Sequence, residues 1–239
     1  MDRNLFDIPH HANLFALIYR SAYEQYGEKG GLAVDEGTKL YGMQRGFRMA
    51  KRAVRDRQPL TMENYLAYSE WTDKSGLSKS VITQTAPVYY MECQVCGWCD
   101  SWKDADLLKY GRHYCDYVDK SLVRGFNPAL VLNIESVISK GDRCCGFKWN
   151  GFKLETEEEK KAFAEKKRKL GNRTIKDFLY HTGHLLSAMQ TALSKILGKE
   201  AMEKIIDKAL KDYSEMYSEE MTNAVIEESK QNFLSIGDY

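Results

Sequence analysis

The chain has 239 residues, room for one large domain or two small ones around a closed apolar core. Its 35 Lys and Arg residues stand against 34 Asp and Glu, and a net charge of +1 argues against a nucleic-acid binder, which carries a clear basic excess. No run of about 18 uncharged apolar residues occurs, so no membrane span is expected. The N-terminus lacks the basic-then-apolar order of a secretory leader, so a cytoplasmic location is expected, with the six cysteines as thiols, ligands or nucleophiles.

In chain order, Asp7 has the character of a helix N-cap with Pro9 in the first turn. Leu14, Leu17, Ile18 and Ala22 then recur at helical spacing until Gly27, Gly30 and Gly31 end the pattern. A second helix is expected from Thr38 to Arg57, with Leu40, Met43, Phe47, Ala50 and Val54 as its apolar stripe. Pro59 stops it, and Thr61 caps a short helix reaching Trp71. The polar stretch from Asp73 to Ser80 has loop composition. Ile82 to Met91 has strand composition, with Pro87 placing it at a sheet edge or bulge.

Asp104 to Leu122 is the next expected helix. Leu130 to Ile138 and Cys144 to Trp149 form a hairpin about the turn Ser139–Asp142. Residues 155–169 are a charged linker or surface helix. Helices follow from Thr174 to Leu197 and through residues 199–239. The pattern of N-terminal helices, a small antiparallel sheet with a hairpin, and long C-terminal helices predicts a single α+β domain over residues 1–239. No Walker loop, dinucleotide fingerprint or nucleophile elbow is present.

Four groups of residues carry chemical potential. Cys93, Cys96 and Cys99 are separated by two residues each, and the Cys-x-x-Cys-Gly portion resembles one zinc knuckle without the second pair a structural site normally has, which leaves open a divalent metal such as zinc. The plainer reading is three ordinary thiols at a strand end. Histidines fall into two helix-borne pairs. Of His10 and His11, about 100° apart on a helix, His11 shares the face of Leu14 and Ile18. His181 and His184 share a face by their spacing of three, and Asp177 lies four residues before His181, placed to orient its imidazole. The plainer reading is histidines edging an apolar core.

Arg45, Arg48, Arg52 and Arg55 form a stripe along the second helix. The plainer reading is a solvated basic face. The functional one is that Arg45, flanked by Gly42 and Gly46, grips a substrate carboxylate, the glycines permitting close approach of a backbone or ligand. Finally, Cys145 on the hairpin strand is either a reactive thiol near Asp142 or a small core residue.

These residues also carry a family resemblance. Leu5-Phe6-Asp7-Ile8-Pro9-His10-His11-Ala12, Tyr41-Gly42-Met43-Gln44-Arg45-Gly46 and Asn64-Tyr65-Leu66-Ala67-Tyr68 come first. Trp98-Cys99-Asp100-Ser101-Trp102, Tyr114-Cys115, Val118-Asp119, Arg124-Gly125-Phe126-Asn127-Pro128 and Tyr180-His181-Thr182-Gly183-His184-Leu185 follow. Together they resemble the L-2-amino-thiazoline-4-carboxylic acid hydrolase family from Leu5 to about Leu197. A weaker resemblance, from Tyr110 to Trp149, is to vinyl-reductase-type small-molecule-binding domains, an α+β fold shared with transport-particle subunits.

The hydrolase resemblance implies opening of a five-membered cyclic amidine bearing a carboxylate, giving N-carbamoyl-cysteine or a related product. Water must be activated, the leaving heteroatom protonated and the carboxylate held. On that basis His181, oriented by Asp177, is expected as general base or metal ligand, with His184 and His11 as partner acid or further ligands. Arg45, Tyr41, Trp102 and Cys145 are expected to bind the substrate, a small heterocyclic carboxylate. A homo-oligomer is left open. The alternatives are a non-catalytic ligand-binding protein of the vinyl-reductase type and a metal or redox sensor built on Cys93, Cys96 and Cys99.

Overall fold

In the computed structural model, which describes residues 2–237, α1 spans Ile8 to Arg55 as two helical segments joined across a kink. The break falls in the glycine run where the first helix was expected to end: Gly27 leaves helical geometry, at φ 60° and ψ −144°, and helix resumes directly after it rather than at Thr38. Glycine reaches this positive φ without the Cβ clash that other residues meet.

After α1 come α2 (Met62–Ala67), β1 (Lys79–Gln84), β2 (Tyr89–Val95), α3 (Gly97–Asp104), α4 (Leu108–Gly111) and α5 (Tyr114–Phe126). The hairpin strands β3 (Leu132–Ser136) and β4 (Cys145–Trp149) precede α6 (Glu157–Leu170), α7 (Phe178–Leu197), α8 (Lys199–Met216) and α9 (Glu219–Glu228). The fold is α+β, with one antiparallel four-stranded sheet in the order β1-β2-β4-β3. Among the described residues no helix is long and apolar enough to cross a membrane.

Several expected boundaries move. The single strand expected over Ile82–Met91 is a pair, β1 and β2, turning at Ala86-Pro87, so the proline occupies a connection rather than an edge. The expected helix Asp104–Leu122 is three helices, and α3 absorbs the end of the cysteine cluster. The long C-terminal helix is broken after Met216, where the Ser218 side chain accepts the Met221 amide and caps α9. Thr61 caps α2 as expected, accepting the Asn64 amide. Residues 155–169 fall mainly in α6, opened by a capping box between Thr156 and Glu159.

The chain divides into two compact units, and α1 and α5 contribute to both. The first comprises the chain through Tyr41, Gly97–Val118 and Asp177–Asn232. Its core is all-helical: Ile8, Leu14, Phe15, Leu17 and Ile18 of α1 are buried, as are Leu185, Leu186, Met189 and Leu193 of α7 and Ile205, Ile206 and Tyr213 of α8. α1 and α7 come very close here: a Cβ on Gly37 would sit 2.5 Å from the Met189 sulfur.

The second unit comprises Gly42–Cys96, Asp119–Lys176 and the segment from Phe233. Its core joins the sheet residues Tyr89, Leu132 and Trp149 to Met49 and Ala53 of α1, Met62 and Tyr65 of α2, and Leu122 and Phe126 of α5. Trp149 pairs across the sheet with both Tyr89 and Leu132, so one β4 residue anchors both neighbouring strands.

Candidate active site

In the first unit the helices bring three of the five histidines together. α1 supplies His11 and Tyr41, α5 supplies Tyr114, and α7 supplies Phe178, His181 and His184. All six side chains are buried. The His11 Nε2 lies 3.0 Å from the Tyr114 hydroxyl, a hydrogen bond whose donor depends on the imidazole tautomer. The Tyr41 ring is 5.5 Å from His11 and 4.8 Å from His184, so it links the two. Phe178 similarly stands 6.4 Å from His11 and 6.1 Å from His181. Trp98 completes the wall, 6.3 Å from His11 and 6.0 Å from Phe178.

His10 faces elsewhere. Its Nδ1 accepts the Asp7 amide, its ring packs on Tyr217 at 4.4 Å, and burial pushes its pKa down. That divergence is the one expected of adjacent residues on a helix.

The Asp177 carboxylate is engaged at the start of α7. Its carboxylate receives the Arg3 Nε and Nη2 at 2.8 and 3.0 Å, and also the Tyr180 amide at 2.8 Å. The residue is the N-cap of α7, which therefore starts at Phe178 rather than Thr174. Its main chain also meets His181, through the helical amide bond to the Asp177 carbonyl at 3.1 Å. Spacing of four put the carboxylate on the right face; a cap position, with extended backbone, turns it toward the helix end.

Trp102 is fully buried, its indole N–H donating to the Ala12 carbonyl at 2.8 Å and its ring 6.4 Å from Tyr114. It ties α3 to α1 and backs the tyrosine that bonds His11. Tyr114, Trp98 and Phe178 are the members of this cluster that spacing did not single out as site residues. Tyr114 and Trp98 nevertheless lay inside the blocks carrying the resemblance. Phe178 looked only like one apolar residue on a helix stripe.

Arg45 and Cys145 belong to the second unit. The arginine stripe is not a solvated face: Arg48 and Arg52 are wholly buried, and Arg45 nearly so. They converge on buried Glu70. Arg48 donates through Nε at 2.8 Å and Nη2 at 2.7 Å, Arg52 through Nη1 at 2.6 Å, and Arg45 through Nε at 3.4 Å. Arg55 alone of the four is exposed, donating to the Gly237 carbonyl. Burial opposes a charge on Glu70, but the three guanidiniums outweigh it and hold the carboxyl well below its ordinary range. The carboxylate that Arg45 meets is thus one of the chain's own. Nothing local marked Glu70, which lies 18 to 25 residues from its partners.

The backbone approach foreseen near Arg45 is real. A Cβ on Gly46 would lie 2.0 Å from the Leu122 carbonyl oxygen, and one on Gly125 would lie 2.2 Å from that of Met43, so α1 and α5 pack backbone to backbone. Nearby, burial pushes the Asp119 carboxyl up to about 6 against the pull of Arg45.

Cys145 is buried in β4, where its sulfur accepts the Ile138 amide at 3.3 Å and its backbone pairs with Cys93. Cys93 is half-buried in β2, Cys96 follows that strand, and Cys99 is buried in α3. The neighbouring Cys96 thiol and burial both push the Cys93 pKa up. Among the described residues no group of three or more His, Cys, Asp or Glu side chains has an arrangement that could hold a metal ion.

Comparison with known families and proteins bears on this geometry. No curated protein and no solved structure matches the chain. The family model of L-2-amino-thiazoline-4-carboxylic acid hydrolases matches residues 9–149, more than half of its length, taking in His11, Tyr41, Trp98 and Tyr114 and stopping short of α7. The chain therefore belongs to the L-2-amino-thiazoline-4-carboxylic acid hydrolase family.

Proposed function

We propose that the chain hydrolyses a five-membered cyclic amidine-thioether bearing a carboxylate, 2-amino-thiazoline-4-carboxylate or a close relative, with His11 and Tyr114 moving the protons. The observation that carries this reading is the 3.0 Å bond between His11 and Tyr114 within a buried wall of aromatic rings, contributed by residues inside the family match. An imidazole bonded to a phenol can take a proton from one partner and return it to another.

The chemistry needs two such transfers. Water adds to the carbon that joins the ring sulfur to both nitrogens, and loses a proton to the imidazole. The tetrahedral adduct then collapses: its hydroxyl becomes the urea carbonyl and gives its proton to the former imine nitrogen, the carbon–sulfur bond breaks, and the sulfur leaves as a thiol carrying the returned proton. The product is a urea, N-carbamoyl-cysteine in the case of the named substrate. Tyr41, Trp98 and Phe178 exclude bulk water and offer ring faces to a flat heterocycle. His181 and His184 face the same rings and are the further proton carriers.

The test is release of free thiol from 2-amino-thiazoline-4-carboxylate, followed with a colorimetric thiol reagent. The His11→Ala chain should lose roughly 10²- to 10⁴-fold in kcat, the usual contribution of a positioned acid–base group. Tyr114→Phe, which removes only the hydroxyl, should show a smaller loss and a shifted pH profile. Unchanged turnover in His11→Ala would overturn the assignment. Substrate binding without thiol release would favour the non-catalytic ligand-binding reading.

A further inference from the structure

A second feature of the first unit stands apart from the histidine cluster and from the hydrolase reading. The middle of α1 and the segment from α4 into α5 enclose a cleft of ≈ 350 Å³. Tyr19, Tyr23 and Asp35 of α1 line it, facing Tyr110, Arg112 and His113. The rings form a continuous aromatic surface. His113 stacks on Tyr19 at 4.2 Å and 15°, Tyr23 stacks on Tyr19 at 6.4 Å and 16°, and Tyr110 stands 6.5 Å from Tyr19.

Asp35 is the unusual member of this lining. It is 6% exposed; Tyr117 hydrogen-bonds its carboxyl, yet its Oδ1 is buried with no hydrogen-bond partner. Leaving a buried carboxylate oxygen unbonded costs stability, and such groups mark positions kept for a ligand or a reaction. The cation nearest in sequence, Lys39 four residues on, gives its ammonium to Glu36 at 2.6 Å and lies over the Tyr117 ring. The cleft's other cations, Lys109 and Arg112, are exposed and therefore screened by water. The deep charge of the cleft is thus negative, and its exposed rim carries both signs, Lys109 and Arg112 with Glu28.

The rings already hold cations: Lys109 sits 5.2 Å above Tyr110, and Lys39 sits 4.5 Å above Tyr117. A tyrosine wall with a buried carboxylate at its base selects a flat cation over a neutral or anionic ring.

We propose that this cleft is a binding site for a small planar organic cation, an aryl amidinium or aryl ammonium, with its charged group on Asp35 and its ring against Tyr19, Tyr23 and Tyr110. Burial supports the assignment by pushing the Asp35 carboxyl up to about 6. Lys39 and a hydrogen bond from Tyr117 oppose that shift; Asp116 and Glu36 add to it. A bound cation would hold the carboxyl ionised, so binding weakens as pH falls below about 6. His113 and Glu28 also line the cleft, so the pH effect must be shown to belong to Asp35.

Calorimetric titration of the full chain with benzamidine, and separately with benzoate, tests the site. Benzamidine should bind near neutral pH and benzoate should not. Asp35→Asn should weaken benzamidine by about tenfold or more, since an ion-paired hydrogen bond is removed, and should abolish the pH step. Tyr110→Ala, at the rim, should weaken it severalfold without lowering the melting temperature. That variant and the pH step decide the matter if Asp35→Asn does not fold. Equal binding of benzoate, unchanged benzamidine affinity in a folded Asp35→Asn chain, or no benzamidine binding at millimolar concentration would overturn the proposal. The readout is binding and not turnover, so it stands or falls separately from the hydrolase assignment.

Discussion

Arg48 and Glu70 form a two-pronged ion pair, Nε to Oε1 at 2.8 Å and Nη2 to Oε2 at 2.7 Å, with neither side chain exposed to solvent. Arg52 shares the Oε1 at 2.6 Å, and the other nitrogen of Arg48, Nη1, ties the Phe233 carbonyl at 2.6 Å. A buried carboxylate surrounded by three guanidiniums is a structural keystone whose loss leaves buried cations unmatched. Glu70→Gln is expected to destabilise the chain by about 3–5 kcal/mol, read by denaturant unfolding. The folded-state pKa of Glu70 lies below its ordinary 4.5, so its contribution is complete above that value and disappears as pH falls through the folded pKa. Acid unfolding of the native chain should therefore sharpen below about pH 4.

Asp119 runs the opposite way. Its carboxyl is raised from 3.8 to about 6, so it favours the folded state most below 3.8, and that advantage is lost as pH rises through about 6. Asp119→Asn should gain about 1–2 kcal/mol relative to the native chain above pH 6 and little below pH 4, measured by melting across that range.

The burial of the arginine stripe turns its partner stripe outward. Met43, Phe47 and Val54, expected to face the core, are 41%, 48% and 60% exposed, whereas Arg48 and Arg52 are 0% exposed. Phe47→Lys and Val54→Lys should change stability by less than about 0.5 kcal/mol, as surface substitutions do. Core-like losses from either would contradict the orientation of α1.

Asp177 caps α7 and pairs with Arg3, and has no side-chain hydrogen bond to His181 among those described. Asp177→Ala should cost about 1 kcal/mol of stability through loss of the cap and leave the pH profile of thiol release in place. A shifted profile would restore it as a positioning residue for the imidazole.

Gly46 has no room for a methyl group. With a Cβ only 2.0 Å from the Leu122 carbonyl oxygen, Gly46→Ala must push α1 and α5 apart, at a cost of about 1–3 kcal/mol by thermal melting.

Cys93 titrates high because Cys96 and burial both favour its neutral thiol. Alkylation of Cys93 near pH 8 should be slow and should quicken in Cys96→Ser, as mass mapping of the labelled peptide would show.

Much of this molecule was legible along the chain. Thr61 caps α2, and the Leu130–Trp149 stretch holds a hairpin whose strands start and end within two residues of expectation. His11, not His10, faces the buried cluster. Each of these depends on neighbours within a few positions, where periodicity, capping and turn chemistry act. The family resemblance likewise rested on residues standing in order along the chain.

What escaped depends on partners far away in sequence. On α1, an apolar stripe and an arginine stripe both recur at helical spacing, and local pattern favours burying the apolar one. Glu70 reverses that choice, because one deeply placed carboxylate makes burial of three guanidiniums tolerable. Asp177 and His181 had the spacing of an oriented pair, yet a helix terminus and Arg3 claimed the carboxylate. The amino-acid sequence alone determined the α+β class, the helix-borne histidines and the family. Only tertiary packing decided which face of α1 is inside and which phenol meets His11, because those outcomes are set by charge pairing and ring contacts between segments up to about a hundred residues apart.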